Sequence, residues 1–132
     1  MARKNIASGS PWEGVVGYAR AVRVGNQVFV SGTTASGPDG KGISPDVAVQ
    51  AREIYRRIEA ALVQAGARLQ DVTLTRQYVV DISQWEAIGR VHGEVFGAIR
   101  PVTSMVQVSK LIDPSLLIEI EAIAVIEESE QA

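Results

Sequence analysis

The stretch from Leu116 to Ile126, "LLIEIEAIAVI", constrains the fold more than any other part of the chain. At the two-residue period of a strand, Leu116, Ile118, Ile120, Ala122, Ala124 and Ile126 share one face, which must be core. The other face holds Leu117, Glu119, Glu121, Ile123 and Val125, apolar except for two carboxylates. A strand with one face in water would carry polar residues there. Something outside the domain is therefore expected to cover this second face, and another copy of the chain is the economical cover. With the preceding "RPVTSMVQVSK", the region from Arg100 to Ile126 reads as two apolar strands joined in a hairpin by a Pro-containing turn.

The rest of the chain supplies what that strand packs against. Tyr18 to Val24 alternates as a strand, and Gly25-Asn26 separates it from "QVFVSG" in a tight β-hairpin. "TTASGPDGKGI" reads as a flexible, glycine-rich loop near a cleft, without the strand-to-helix context of a phosphate loop. Ser44-Pro45 opens a first helix as N-cap and first-turn proline. Val47, Ala51, Ile54, Ile58, Leu62 and Ala65 then follow at helical spacing, and Gly66 stops it. "DVTLTRQYVVDI" is a third strand, with Val72, Leu74, Arg76, Tyr78 and Val80 on one face. Ser83 and Glu86 form a capping box for a second helix that ends before Pro101. Its inner stripe holds Trp85, Ile88, His92 and Phe96, flanked by Val91 and Val95. The order is β-β-α-β-α-β-β, an α+β fold with two helices on one face of a mixed sheet.

At 132 residues the chain reads as one domain, 1–132, with flexible opening residues and a flexible tail from about 127 to 132. Its 13 basic and 15 acidic residues leave no basic footprint for nucleic acid. The absence of cysteine excludes disulfides, thiolate catalysis and Cys-rich zinc sites, and with a single histidine no metal site is expected. "MARKNIASGS" lacks the apolar core of a signal peptide and no run approaches a membrane span, so the expectation is a soluble cytoplasmic protein.

"GYARAVRVGNQVFVSG", the two helices and "RPVTSMVQV…IEIEAIAV" together resemble the YjgF/RidA family, also called the L-PSP endoribonuclease-like or Rid family. The resemblance runs from about Tyr18 to Val125. It implies a chorismate-mutase-like fold assembled as a homotrimer, with a central β-barrel and clefts between subunits. It also implies hydrolysis of enamine or imine intermediates to 2-keto acids and ammonia, without metal or cofactor. In the deaminating members an arginine after "P-A" grips the substrate carboxylate. Here "PVT" stands in that place, so Thr103 occupies the arginine position. A hydroxyl cannot form the bidentate, charge-assisted pair that a guanidinium forms with a carboxylate. Glu119 matches the family's water-orienting glutamate, Tyr18 its tyrosine and Ser31-Gly32 its "SG", while Thr33 replaces the usual glutamine and Gly89 falls where an asparagine is common.

Each candidate residue carries two readings. Glu119 orients water or protonates a leaving group, or else forms an interface ion pair with Arg20 or Arg76 of a neighbour; Glu121 reads as a structural ion pair. Thr103 and Ser104 either bind a ligand or simply suit a strand. Arg20 and Arg76 are the possible substitutes for the missing arginine, Arg20 ahead of Arg76, against a solvent-facing or interface arginine, and Arg100 is a surface residue near the cleft mouth. His92 is a hydrogen-bonded rim residue or a base. The functions compatible with this set are imine or enamine hydrolysis of a small carboxylate, keto or imino acid in intersubunit clefts, and non-catalytic binding of such a metabolite. Ribonuclease activity, suggested by the family's older name, lacks a basic stripe, an aromatic platform and a histidine pair.

Overall fold

The computed structural model describes residues 3–127, so the expected tail beyond 127 lies outside the described residues. The strands are β1 (Lys4–Ile6), β2 (Ala21–Val24), β3 (Gln27–Thr33), β4 (Val72–Val79), β5 (Val102–Gln107) and β6 (Ile118–Val125). The helices are α1 (Val47–Gln64) and α2 (Trp85–Phe96). One six-stranded sheet runs in the order β1-β2-β3-β6-β4-β5, with α1 and α2 packed on one face. Only β4 and β5 are parallel; the other neighbours are antiparallel.

β6 occupies the middle of the sheet because its sequence tolerates burial on both sides. Ile118, Ile120, Ala122 and Ala124 are all at most 1% exposed beneath the helices, while Glu119, Glu121 and Ile123 on the other face are half-buried. β5, with polar or exposed residues on both faces, lies at the edge. The expected hairpin between them does not form: β4 lies between β5 and β6. The connecting segment passes the end of β4, where the Val108 N–H donates to Val79 O and the Val80 N–H to Leu117 O. Gln50 on α1 fastens it there. Its Nε2 donates to Ser44 O and Ser115 O at 2.7 and 2.9 Å, and its Oε1 accepts the Leu117 N–H at 2.9 Å.

Two bulges set which residues face which way. On β3, Val30 pairs with Ala122 and Thr33 with Ile120, so three steps on β3 match two on β6. Val30 and Thr33 both stay on the core face, while Ser31 and Gly32 are displaced between them. On β4, Val72 pairs with Ala124 but Leu74 with Ile123, leaving Thr73 as the extra residue. Val72 consequently turns into the core, away from the open face on which strict alternation places it.

The element ends correct several other expectations. The opening residues form β1, paired with β2 at the sheet edge, instead of a flexible end. β2 begins at Ala21, not Tyr18, because a π-helical turn over Glu13–Gly17, closed by the Tyr18 N–H to Glu13 O, occupies the preceding chain. The cap of α1 is Asp46, whose Oδ1 accepts the Ala48 N–H at 2.8 Å; Ser44 Oγ is taken up by the Asp46 N–H. The stop at Gly66 holds: at φ 87 it ends the helix with the Gly66 N–H on Val63 O and the Ala67 N–H on Leu62 O. Asp81, not a Ser83–Glu86 box, starts the turn before α2, accepting the Ser83 N–H and hydroxyl; Glu86 pairs with Arg90 instead. Trp85 opens α2 and is 60% exposed, so the inner stripe is Ile88, Val91 and Phe96, with His92 half-buried beside them. The glycine-rich loop closes on itself through Gly37–Lys41 hydrogen bonds and is tied by the Gly42 N–H to Ser115 Oγ. No helix among the described residues is long and apolar enough to cross a membrane.

Candidate functional site

The expected site residues fall into two groups that one chain does not join. The first lies on the open sheet face. Glu119 projects beside the β3 bulge, and a Cβ added at Gly32 would collide with its carboxylate, so a side chain there would displace the Glu119 carboxylate from this position. Burial, with the nearby charge of Glu121 adding to it, raises the Glu119 carboxyl above its usual range. Among the described residues Glu119 makes no ion pair. Glu121 does: its Oε1 accepts from Arg76 Nη1 at 3.2 Å and from the Tyr78 hydroxyl at 2.6 Å. Arg76, Glu121, Val22, Phe29, Ser31 and Ile123 border a depression of about 280 Å³ on this face. The Ser31 hydroxyl donates to Arg20 O at 3.1 Å.

The second group sits under α2 at the β5 edge. Thr103 on β5 pairs in register with Thr75 on β4, and their hydroxyls lie 2.7 Å apart. Thr75 Oγ1 is also 2.8 Å from His92 Nε2. Gln77 Nε2 donates to Thr103 Oγ1 at 3.1 Å, and the Tyr55 hydroxyl donates to Gln77 Oε1 at 3.4 Å. Thr75 and Gln77 are buried at 0% and 2% exposure, whereas Thr103 is exposed at the edge strand. Desolvation lowers the His92 imidazole, which favours its neutral form. Gly89, one turn before His92, has open space where a side chain would stand. Ser104 is exposed on β5, opposite Arg76.

Arg20 joins neither group. Its Nη1 donates to the buried Thr33 Oγ1 at 2.9 Å, and it lines a separate depression of about 310 Å³ with Arg56, Arg57 and Gln64 of α1. Tyr18 is exposed, and among the described residues its hydroxyl reaches only Ser10 Oγ, at 3.4 Å. Arg100 is a surface residue, as expected. Thr75, Gln77 and Tyr55 went unnoticed at the level of sequence. The signal was present: with Val72, Leu74, Arg76 and Tyr78 assigned to one face, Thr75 and Gln77 must face the helices, and buried polar groups need partners.

A bulged β3 beside a two-face-apolar β6, with both helices on one side of a mixed sheet, defines a YjgF/L-PSP-type domain. The chain belongs to the Endoribonuclease L-PSP (YjgF/RidA) family, whose model matches residues 10–126. It is similar to the crystal structure of a Mycobacterium tuberculosis member of the YjgF/YER057c/UK114 family. That likeness has a TM-score of 0.87 and 55% identity, and covers 95% of this chain and 100% of the other. It is 30% identical over 125 residues to the 2-iminobutanoate/2-iminopropanoate deaminase of Escherichia coli, covering 92% of this chain and 97% of the relative. It is 34% identical over 108 residues to the 3-aminoacrylate deaminase RutC of Acinetobacter baylyi, covering 81% and 85%.

Proposed function

We propose that this chain assembles as a homotrimer that binds a small carboxylate, keto or imino acid in clefts between subunits and hydrolyses an enamine or imine C–N bond to a keto product and ammonia. The observation that carries this reading is the division of the site. A desolvated, unpaired Glu119 stands on an apolar face, and the hydroxyl and imidazole group stands at the β5 edge. A neighbouring copy that covers the apolar face of one chain with its β5 edge brings the two groups into one cleft. Two deaminase relatives act on compounds named as imino or aminoacrylate species, which supports the substrate class. Thr103 in the arginine position argues against 2-iminopropanoate as the preferred substrate, because the carboxylate loses its bidentate partner.

In this reading Glu119 orients the attacking water, and Ser31, Gly32 and Thr103 shape the pocket. Glu119→Gln keeps the volume and removes the charge. Turnover of a panel of 2-imino acids and dienamines is expected to fall by at least ~100-fold while the assembly persists in sedimentation. Retained turnover sinks the mechanism.

A second reading is non-catalytic binding of the same class of ligand. Its support is that the Thr103 hydroxyl is already bonded to Thr75 and Gln77, with no cation bonded to it among the described residues. A thermal shift with 2-keto or aromatic acids, without turnover on the panel, selects this reading.

A further inference from the structure

We infer that Thr103, Thr75 and His92 form a proton relay that carries a proton between water at the β5 edge and the imidazole buried behind it. The inference rests on the hydrolytic reading above and assigns its acid–base step.

The contacts fit a relay better than a structural tie. A buried hydroxyl needs a partner, and most side-chain hydrogen bonds go to backbone or water. Thr75 instead stands between two side chains, one exposed and one titratable, at 2.7 and 2.8 Å, both within normal hydrogen-bond range. Gln77 fixes one contact of Thr103. The Tyr55 phenol, held protonated by burial, donates to Gln77 Oε1, which turns Gln77 Nε2 towards Thr103 Oγ1. At rest the Thr75 hydroxyl donates to Thr103 Oγ1. The relay runs when both hydroxyls turn, so that Thr103 donates to Thr75 and Thr75 to His92 Nε2. The imidazole packs against Tyr55 of α1 and Phe96 of α2, with ring centroids 6.0 and 4.8 Å away, and those two rings touch each other at 5.5 Å. Among the described residues, Tyr55 faces it from α1, Thr75 from β4, and Thr103 of β5 is linked to it through Thr75. The charged pair linking the two helices, Arg52 and Glu94, is solvent-exposed and neutral as a unit.

The step balances without any further reactant. A water oxygen bonds to the carbon of an iminium C=N, and the π pair moves onto nitrogen. The water proton passes to Thr103 Oγ1 as the Thr103 proton passes to Thr75 Oγ1 and the Thr75 proton to His92 Nε2. Return of that proton to the amine nitrogen lets the C–N pair leave with nitrogen as ammonia while an oxygen lone pair forms C=O; the proton still held by that oxygen then passes to the ammonia, giving a ketone and ammonium. His92 thus serves as the terminal proton acceptor, and Thr103 as the group in contact with water.

The single histidine makes the test direct in tag-free protein. Thr75→Val keeps the shape and breaks the chain of hydroxyls, while Thr75→Ser restores it. With a panel substrate that the wild type turns over, kcat is expected to fall about 100-fold in Thr75→Val with KM little changed, and to recover in Thr75→Ser. His92→Gln is expected to remove the acidic limb of the kcat profile. In ¹⁵N NMR, Thr103→Val is expected to shift the His92 ring resonances through Thr75. Full kcat in Thr75→Val, or His92 resonances indifferent to Thr103→Val, overturns the relay. If Glu119→Gln is inactive while Thr75→Val is fully active, the relay alone fails. A wild type inactive on the whole panel overturns the hydrolytic reading and the relay with it.

Discussion

At the scale of single residues, the site is governed by how much water each ionisable group loses. Glu119 and Glu121 are two residues apart on one strand face, yet only Glu121 has found a guanidinium and a phenol. Glu119 is left desolvated, and its carboxyl is raised by burial and by its neighbour's charge. Because the folded state holds the Glu119 proton more tightly than the unfolded chain does, its ionisation costs stability at neutral pH. That cost disappears as pH falls through the raised value towards the unfolded one, about 4.3. Glu119→Gln is therefore expected to melt above the wild type at neutral pH, with the gap closing in acid. A gap that widens in acid contradicts the burial argument. The sequence identified Glu119 by matching a family position, and its setting between charge and apolar surface followed from strand alternation. It could not reveal that Glu121 alone would take Arg76, because that pairing depends on the cross-strand register of β4 and β6.

At the scale of elements, polar side chains decide how the strands are threaded. Gln50 is completely buried on α1 and makes three hydrogen bonds, two that hold the segment before β6 against the helix and one to Ser44 O in the loop before α1. Gln50→Leu keeps the bulk but strands two carbonyls and an N–H. The expected loss is ~2–4 kcal/mol in urea unfolding, and a loss below ~1 kcal/mol shows that the segment is held by other contacts. The helical stripe of α1 and its glycine stop were legible because helical spacing and a left-handed terminus are local properties. The helix starts lie a few residues from the serines that the sequence offers because Asp46 takes the Ala48 N–H, leaving Ser44 with the Asp46 N–H, and because Asp81 takes up the N–H and hydroxyl of Ser83 itself. The β5–β6 hairpin was misread for a different reason: adjacency in sequence favours pairing, but a strand apolar on both faces belongs at the sheet centre.

At the scale of the whole molecule, the open face is the dominant feature. Phe29 is 41% exposed there, beside Val22, Ile123 and the Arg76–Glu121 pair. Burying one such large side chain stabilises an association by about 1.5–3 kcal/mol. Ile123→Lys places a charge in the middle of this face without touching the helix-side core. It is expected to convert a trimer to monomers in sedimentation while leaving the circular dichroism unchanged. A trimer that survives this change means that the face is not the assembly surface.

The sequence by itself determined the α+β class, the helix stripes, the two-faced apolar character of β6, the family and the substitution at Thr103. All of these are written in spacings of a few residues or in a linear motif. The tertiary structure alone decided that β4 separates β5 from β6 and that bulges turn Gly32 to Glu119 and Val72 to the core. It also placed Arg20 against α1, and the Thr103–Thr75–His92 chain at the sheet edge. Those outcomes depend on which distant segments hydrogen-bond in which register, a choice made by the burial of the whole chain at once and not by any local period.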